Sequence, residues 1–236
     1  MAEKKKEFIV TGVSEVDEKL GGGIPLGSLC LVEGDSDAGK SVLCQHLTNG
    51  TLVTGEIAVG YYTTENNVRS LISQMDSLNL RVRDHFLADR LRIFPIVFHS
   101  AMQGGQKPFH VLTSHFSHLP VDFRLIIIDS ITLLVAHSNP VAILDFFSRC
   151  KSLCDSGRTI ILVAHSYAFE EDLLSRTRSL CDARFRLRLE QVGDQMIKLL
   201  EVLKVRGAER PTGDVVSFNI EPKLGMRIIP LAKARV

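Results

Sequence analysis

Tryptophan is absent from this 236-residue chain and tyrosine occurs three times. The sequence therefore offers few flat aromatic faces on which unpaired nucleic-acid bases could stack. Its formal net charge is +1, which leaves no strong electrostatic case for nucleic acid as a partner; a local basic patch is all that charge permits. Nowhere do apolar residues run for the roughly 18 positions that a membrane-spanning helix needs. The start, Met1-Ala2-Glu3-Lys4-Lys5-Lys6, is charged and lacks the apolar centre of a secretory signal, so an intracellular protein is expected. Cysteine is scarce and oddly numbered: Cys30, Cys44, Cys150, Cys154 and Cys181, with no CxxC pair. Neither a disulfide framework nor a zinc ribbon fits that set.

Internal repeats, low-complexity tracts and Pro/Ser-rich linkers are also missing, and one domain spanning 1–236 is the simplest expectation. What is present is an alternation of short apolar runs with amphipathic stretches, the pattern of a parallel sheet covered by helices. Residues 28–33 (SLCLVE), 57–63 (IAVGYYT) and 91–97 read as strands. Residues 125–129 (LIIID) and 159–165 (TIILVAH) are nearly continuous apolar runs with polar ends. Strands buried on both faces look like this, with chemistry at their C-terminal ends. Val68, Leu71, Ile72 and Met75 mark a helix stripe, as do Ile143, Phe146, Phe147, Cys150 and Cys154. That second stripe makes the two cysteines core residues in preference to half of a metal site. His115 and His118 have helical spacing without acidic or cysteine partners, which favours surface residues. Residues 103–108 (QGGQKP) read as a loop. From about Ala183 the rhythm turns antiparallel: 183–191, a Gly193-Asp194 turn, 195–206, 215–220 and 225–230.

The chemistry concentrates in Gly34-Asp35-Ser36-Asp37-Ala38-Gly39-Lys40-Ser41, which satisfies GxxxxGK[ST] at every fixed position. Glycines let the backbone wrap phosphate oxygens, and a helix N-terminus adds a fixed positive field. In such a loop Lys40 reaches the β- and γ-phosphates and the Ser41 hydroxyl ligates Mg²⁺, so ATP with Mg²⁺ is the expected ligand. The loop follows a strand and precedes an apolar helix, the context that a chance match lacks. Asp129 closes the LIIID run, about ninety residues downstream. A carboxylate there can share the Mg²⁺ with Ser41; the plainer alternative is a turn cap at Ser130.

Beyond these, TGVSEVDEKLGGGIPLG at 11–27, TTEN at 63–66, LIIIDSIT at 125–132 and Lys204-Val205-Arg206-Gly207 stand in a fixed order. In that order the chain resembles the KaiC-like ATPases of the RecA superfamily, from about Phe8 to Ile229. The resemblance implies a RecA-like P-loop fold, an α/β structure with a mostly parallel central sheet flanked by helices and antiparallel C-terminal strands. It implies that Glu65 is the general base that polarises the attacking water. Asn66 stands where such proteins commonly carry a second glutamate, and this implies weak or slow hydrolysis. It also implies that Lys204 and Arg206 act in trans on a neighbour's nucleotide, within a ring such as a hexamer; a solvent-facing strand is the alternative. His165 falls where a γ-phosphate sensor stands in RecA-type proteins, or is structural.

Within the superfamily the chain is similar to the accessory ATP-binding family of the archaellum motor. That similarity implies a cytoplasmic ring beneath the membrane, associated with the motor ATPase and membrane-bound motor components, in which ATP occupancy switches assembly or contacts. The rival expectations are a KaiC-like or RecA-like ATPase whose turnover is itself the activity, and a DNA recombinase. The near-zero charge and sparse aromatics weigh against the recombinase.

Overall fold

The apolar runs assemble into one nine-stranded sheet in a computed structural model that describes residues 7–97, 108–213 and 215–229. In chain order the elements are β1 (Phe8–Ile9), α1 (Ser14–Lys19), β2 (Ile24–Pro25), β3 (Leu29–Gly34), α2 (Lys40–Thr54), β4 (Val59–Thr63), α3 (Val68–Ser77), α4 (Arg83–Leu87) and β5 (Leu91–Pro95). There follow α5 (Pro108–His118), β6 (Leu125–Asp129), α6 (Thr132–Ala136), α7 (Pro140–Asp155), β7 (Thr159–His165), a short 3-10 turn at Ser166–Ala168 and α8 (Glu171–Leu180). Four strands complete the set: β8 (Ala183–Val192), β9 (Gln195–Val205), β10 (Val215–Glu221) and β11 (Gly225–Ile228).

The sheet order is β11-β10-β9-β8-β3-β7-β6-β4-β5. Strands β8 through β5 in that order run parallel, whereas β9, β10 and β11 are antiparallel. The expected α/β architecture with antiparallel C-terminal strands is what the chain forms. A separate two-stranded pair, β1 with β2, sits beside it.

Why the central runs are continuously apolar follows from the two-residue strand period. In β6, Leu125 and Ile127 join one cluster with α2 and α3, while Ile126 and Ile128 join another with α5, α7 and α8. Both faces are covered, so neither set of alternate positions can be polar. The α7 stripe is the buried one read from the sequence: Ile143, Phe146, Phe147, Cys150 and Cys154. That helix starts at Asn139, whose side chain accepts the Ala142 N–H at 2.9 Å, and has Pro140 in its first turn. All five cysteines are buried and free.

Where strand boundaries moved, they moved by one or two residues. The second and third strands begin or end inside the ranges expected for them, and the third stops at Pro95, which can give no backbone N–H to a ladder. The last strand closes at Ile228. Residues 103–107 of the expected loop and the basic runs at 4–6 and 233–235 lie outside the described residues, and Pro108 opens α5. No helix among the described residues is long and apolar enough to cross a membrane.

Candidate nucleotide site at the strand ends

The strand register lines up the candidate residues before any side chain is considered. Gly34 pairs with His165, Asp129 with Val163, and Thr63 with Asp129. The C-terminal ends of β3, β7, β6 and β4 therefore finish at one level, the position where open α/β sheets bind ligands. There the chain forms a cleft of about 430 Å³ lined by Ser36, Asp37, Gly39, Lys40, Ser41, Val42, Glu65, Asp129, Ser130, Val163, His165 and Ile220.

Gly34 leaves β3 at φ 146° with the β8 backbone against it; a Cβ there would sit 1.8 Å from the Leu187 carbonyl oxygen. Gly39, at φ 97°, is the N-cap of α2 and packs against Phe218 and Ile220. Both positions exclude a side chain, which explains the fixed glycines of the motif. The first turn of α2 has no acidic residue, so no side chain of the helix itself offsets the positive end of its N–H groups and dipole. The loop is tied to the C-terminal strands: the Asp35 N–H donates to Leu187 O at 3.0 Å, and Lys198 Nζ donates to Asp37 O at 2.8 Å.

Lys40 is buried and its Nζ donates to the carbonyls of Gly34, at 3.3 Å, and Asp35. Burial lowers its pKa, and the field of Asp129, Asp35, Glu65 and Asp37 works against that shift. Asp129 is buried too. Its Oδ1 accepts from Ser41 Oγ at 3.2 Å and its Oδ2 from Tyr61 OH at 2.7 Å. Burial raises the Asp129 pKa, while these two hydrogen bonds oppose the rise. Two hard oxygen donors thus sit together at the mouth of the loop. No cluster of three or more His, Cys, Asp or Glu side chains able to hold a metal exists among the described residues. A cation here would need phosphate or water oxygens as well, the habit of Mg²⁺.

Glu65 is exposed and lines the cleft, just beyond β4. Asn66 does not line it. Its Oδ1 accepts from Ser70 Oγ at 2.9 Å and Gln74 Nε2 at 3.0 Å, which turns the amide toward α3. His165 borders the cleft, with Nδ1 3.1 Å from Thr132 Oγ1. Because that hydroxyl already accepts the His165 N–H at 3.1 Å, it is free to donate to Nδ1. Burial, and secondarily Lys40, depress the His165 pKa and favour the neutral ring.

Lys204 and Arg206 lie elsewhere. Lys204 pairs with Arg184, which pairs with Leu31, three residues before Gly34. At about 3.3 Å per residue that is roughly 10 Å toward the N-terminal end of the strand. Lys204 Nζ donates to Cys181 O at 2.6 Å, and Arg206 Nη1 stands 3.5 Å from Asp182 Oδ1. Within one chain the pair points to the opposite end of the sheet from Lys40. Asp182 is itself buried and accepts from the Leu29 N–H at 3.0 Å and Lys151 Nζ at 2.8 Å. The sequence reading missed Tyr61 and Asp182. A tyrosine in an apolar strand carries no local signal, and Asp182 follows a helix as an ordinary turn residue would.

Together, the fold and the cleft define a P-loop nucleotide-binding protein of the RecA type. The family described as "ATPase: KaiC" matches residues 9–233. Archaeal flagellar ATP-binding protein FlaH of Sulfolobus acidocaldarius is 30% identical over 97% of this chain and 99% of its own. FlaH of Methanocaldococcus jannaschii is 29% identical over 91% of each. The crystal structure of flagellar accessory protein FlaH from Methanocaldococcus jannaschii superposes with a TM-score of 0.80 at 28% identity, covering 95% of this chain and all of that one. The chain belongs to the KaiC family of ATPases and, within it, to the group of FlaH proteins.

Proposed function

We propose that the chain is an ATP-binding accessory component of the archaellum motor, one domain in which ATP occupancy drives ring assembly and regulates the motor ATPase. In this reading Lys40 exchanges its loop carbonyls for β- and γ-phosphate oxygens, and the loop from Gly34 to Ser41 cradles the phosphates. The Ser41 hydroxyl and Asp129 hold Mg²⁺; their oxygen chemistry and 3.2 Å separation suit it. A divalent cation there offsets phosphate charge. Glu65 accepts the proton of an attacking water, and His165, neutral and borne on Thr132, donates toward the terminal phosphate. Slow turnover is expected because Asn66, in place of a second carboxylate, is engaged with α3.

The observation that carries the assembly reading is the division of the site. The phosphate loop and Lys204/Arg206 occupy opposite ends of the same sheet. Cations so placed serve a nucleotide only from a neighbouring copy, as an arginine finger does. FlaH relatives carry flagellar names, which supports the motor as the setting; in this reading the chain lies in the cytoplasm beside membrane-bound motor components.

A second reading, turnover as the activity itself, is favoured by Glu65 standing open in the cleft. Phosphate release at nucleotide saturation separates the two, with Lys40→Ala as the non-binding control. A native rate no higher than that of Glu65→Gln supports the switch. Steady turnover that Glu65→Gln stops, with binding retained, supports the enzyme.

A further inference from the structure

Tyr61 sits in the middle of β4, fully buried, opposite Ile127 and two register positions from the end of β6. Its ring packs in the apolar cluster that contains Cys44 and Leu47 of α2. Its hydroxyl leaves that cluster to meet Asp129 Oδ2 at 2.7 Å, and no other partner for it is present among the described residues. The next residue makes a useful contrast. Tyr62 faces the other side of the sheet and places its hydroxyl 2.6 Å from His115 Nδ1, away from the cleft. Two consecutive tyrosines thus do different work, and only one touches the site.

We propose that Tyr61 is a positioning residue for the cation-holding carboxylate; this rests on the reading of Ser41 and Asp129 as cation ligands. The carboxylate divides its two oxygens. Oδ2 is held inward by a charge-assisted bond from a phenol that packing cannot let move. Oδ1 is thereby left at the cleft, 3.2 Å from Ser41 Oγ. Rotation of an aspartate about its second side-chain torsion is otherwise broad and weakly restrained. Without the hydroxyl, Oδ2 would have no partner inside the sheet, and the oxygen presented to a cation would no longer be fixed. Such outer partners typically govern metal affinity by about 10- to 100-fold without touching the metal.

A merely structural tyrosine also needs somewhere to put its hydroxyl, so stability alone cannot decide. The deciding readout is the Mg²⁺ requirement of nucleotide binding, measured with a fluorescent ATP analogue titrated with MgCl₂ and, separately, in EDTA. Thermal melting of each variant confirms the fold. Tyr61→Phe is expected to raise the half-saturating Mg²⁺ by about 10-fold and to leave binding in EDTA unchanged. Asp129→Asn should raise it at least as far, and adding Tyr61→Phe to that variant should change nothing more. If Tyr61→Phe keeps the native Mg²⁺ dependence while Asp129→Asn loses it, the positioning role is overturned and the cation site stands. If Asp129→Asn and Ser41→Ala also keep it, the cation-site reading itself falls and takes this proposal with it.

Discussion

Two buried aspartates, one at each end of the sheet, are held in opposite ways. Asp129, at the C-terminal end, is contacted by two hydroxyls, those of Tyr61 and Ser41. Asp182, at the N-terminal end, has a backbone N–H, the Lys151 ammonium and the Arg206 guanidinium around it. Hydroxyls orient a carboxylate without neutralising it, so Asp129 keeps its capacity for an added cation. The Lys151 ammonium, 2.8 Å away, neutralises Asp182, which is complete without Arg206, whose guanidinium stands largely exposed. Asp182 ties β3, α7 and the end of β9 together and, with Cys181 O, fixes where Lys204 and Arg206 emerge. A buried acid with neutral partners marks a site that awaits charge, whereas a buried acid with cations marks a joint.

The sharpest way to break that contrast is to remove each carboxylate. Asp182→Ala leaves the buried Leu29 N–H without its acceptor and Lys151 with Asp155 alone, and about 1–3 kcal/mol of stability should be lost in urea unfolding. Nucleotide binding by the folded fraction should survive. A loss below about 1 kcal/mol would place Asp182 outside the structural frame.

A third buried ionisable group extends the comparison to one kept neutral. His46 on α2 accepts the Met226 N–H at Nε2, 3.0 Å away, which only the neutral ring can do. Burial pushes its pKa down to about 4, with a hydrogen bond to the Thr11 backbone pulling the other way. The unfolded chain, with an ordinary value near 6.5, therefore binds more protons between these limits. Stability from this group is full above about pH 6.5 and falls as the pH drops toward 4. About 2–3 kcal/mol should go between pH 7 and 4.5. Unfolding curves at the two pH values should show that loss shrinking in His46→Gln.

Asp129→Asn is expected to change stability least, by no more than about 1 kcal/mol either way. No cation is bonded to its carboxylate, since Lys40 keeps its loop carbonyls, and its replacement still meets both hydroxyls. The change should appear instead in the Mg²⁺ requirement. A destabilisation as large as that of Asp182→Ala would erase the distinction between the two ends.

Much of this was legible in the residue order. The loop from Gly34 to Ser41 and the acid closing LIIID announce themselves because phosphate chemistry dictates both residue type and spacing. The buried stripe of α7 follows from helical period alone. The joints were not legible, since their partners are far apart in sequence: His46 meets Met226 across 180 positions and Asp182 meets Leu29 across 153. Tyr61 and Tyr62 look alike in IAVGYYT, and only the alternation of strand faces, with Asp129 beyond one of them, separates their roles. The five-residue helices Arg83–Leu87 and Thr132–Ala136 are too short to show a period.

The central claim is that a phosphate loop of one copy is completed by Lys204 and Arg206 of the next. Mixing two damaged chains tests it directly. Lys40→Ala retains the cations without a working loop, and the Lys204→Ala/Arg206→Ala double variant retains the loop without the cations. Light scattering in Mg-ATP should find each alone as a monomer and the equimolar mixture as a one-to-one pair, joined at the single intact interface. A mixture that stays monomeric while the native chain assembles, or a double variant that assembles as the native chain does, would contradict the account.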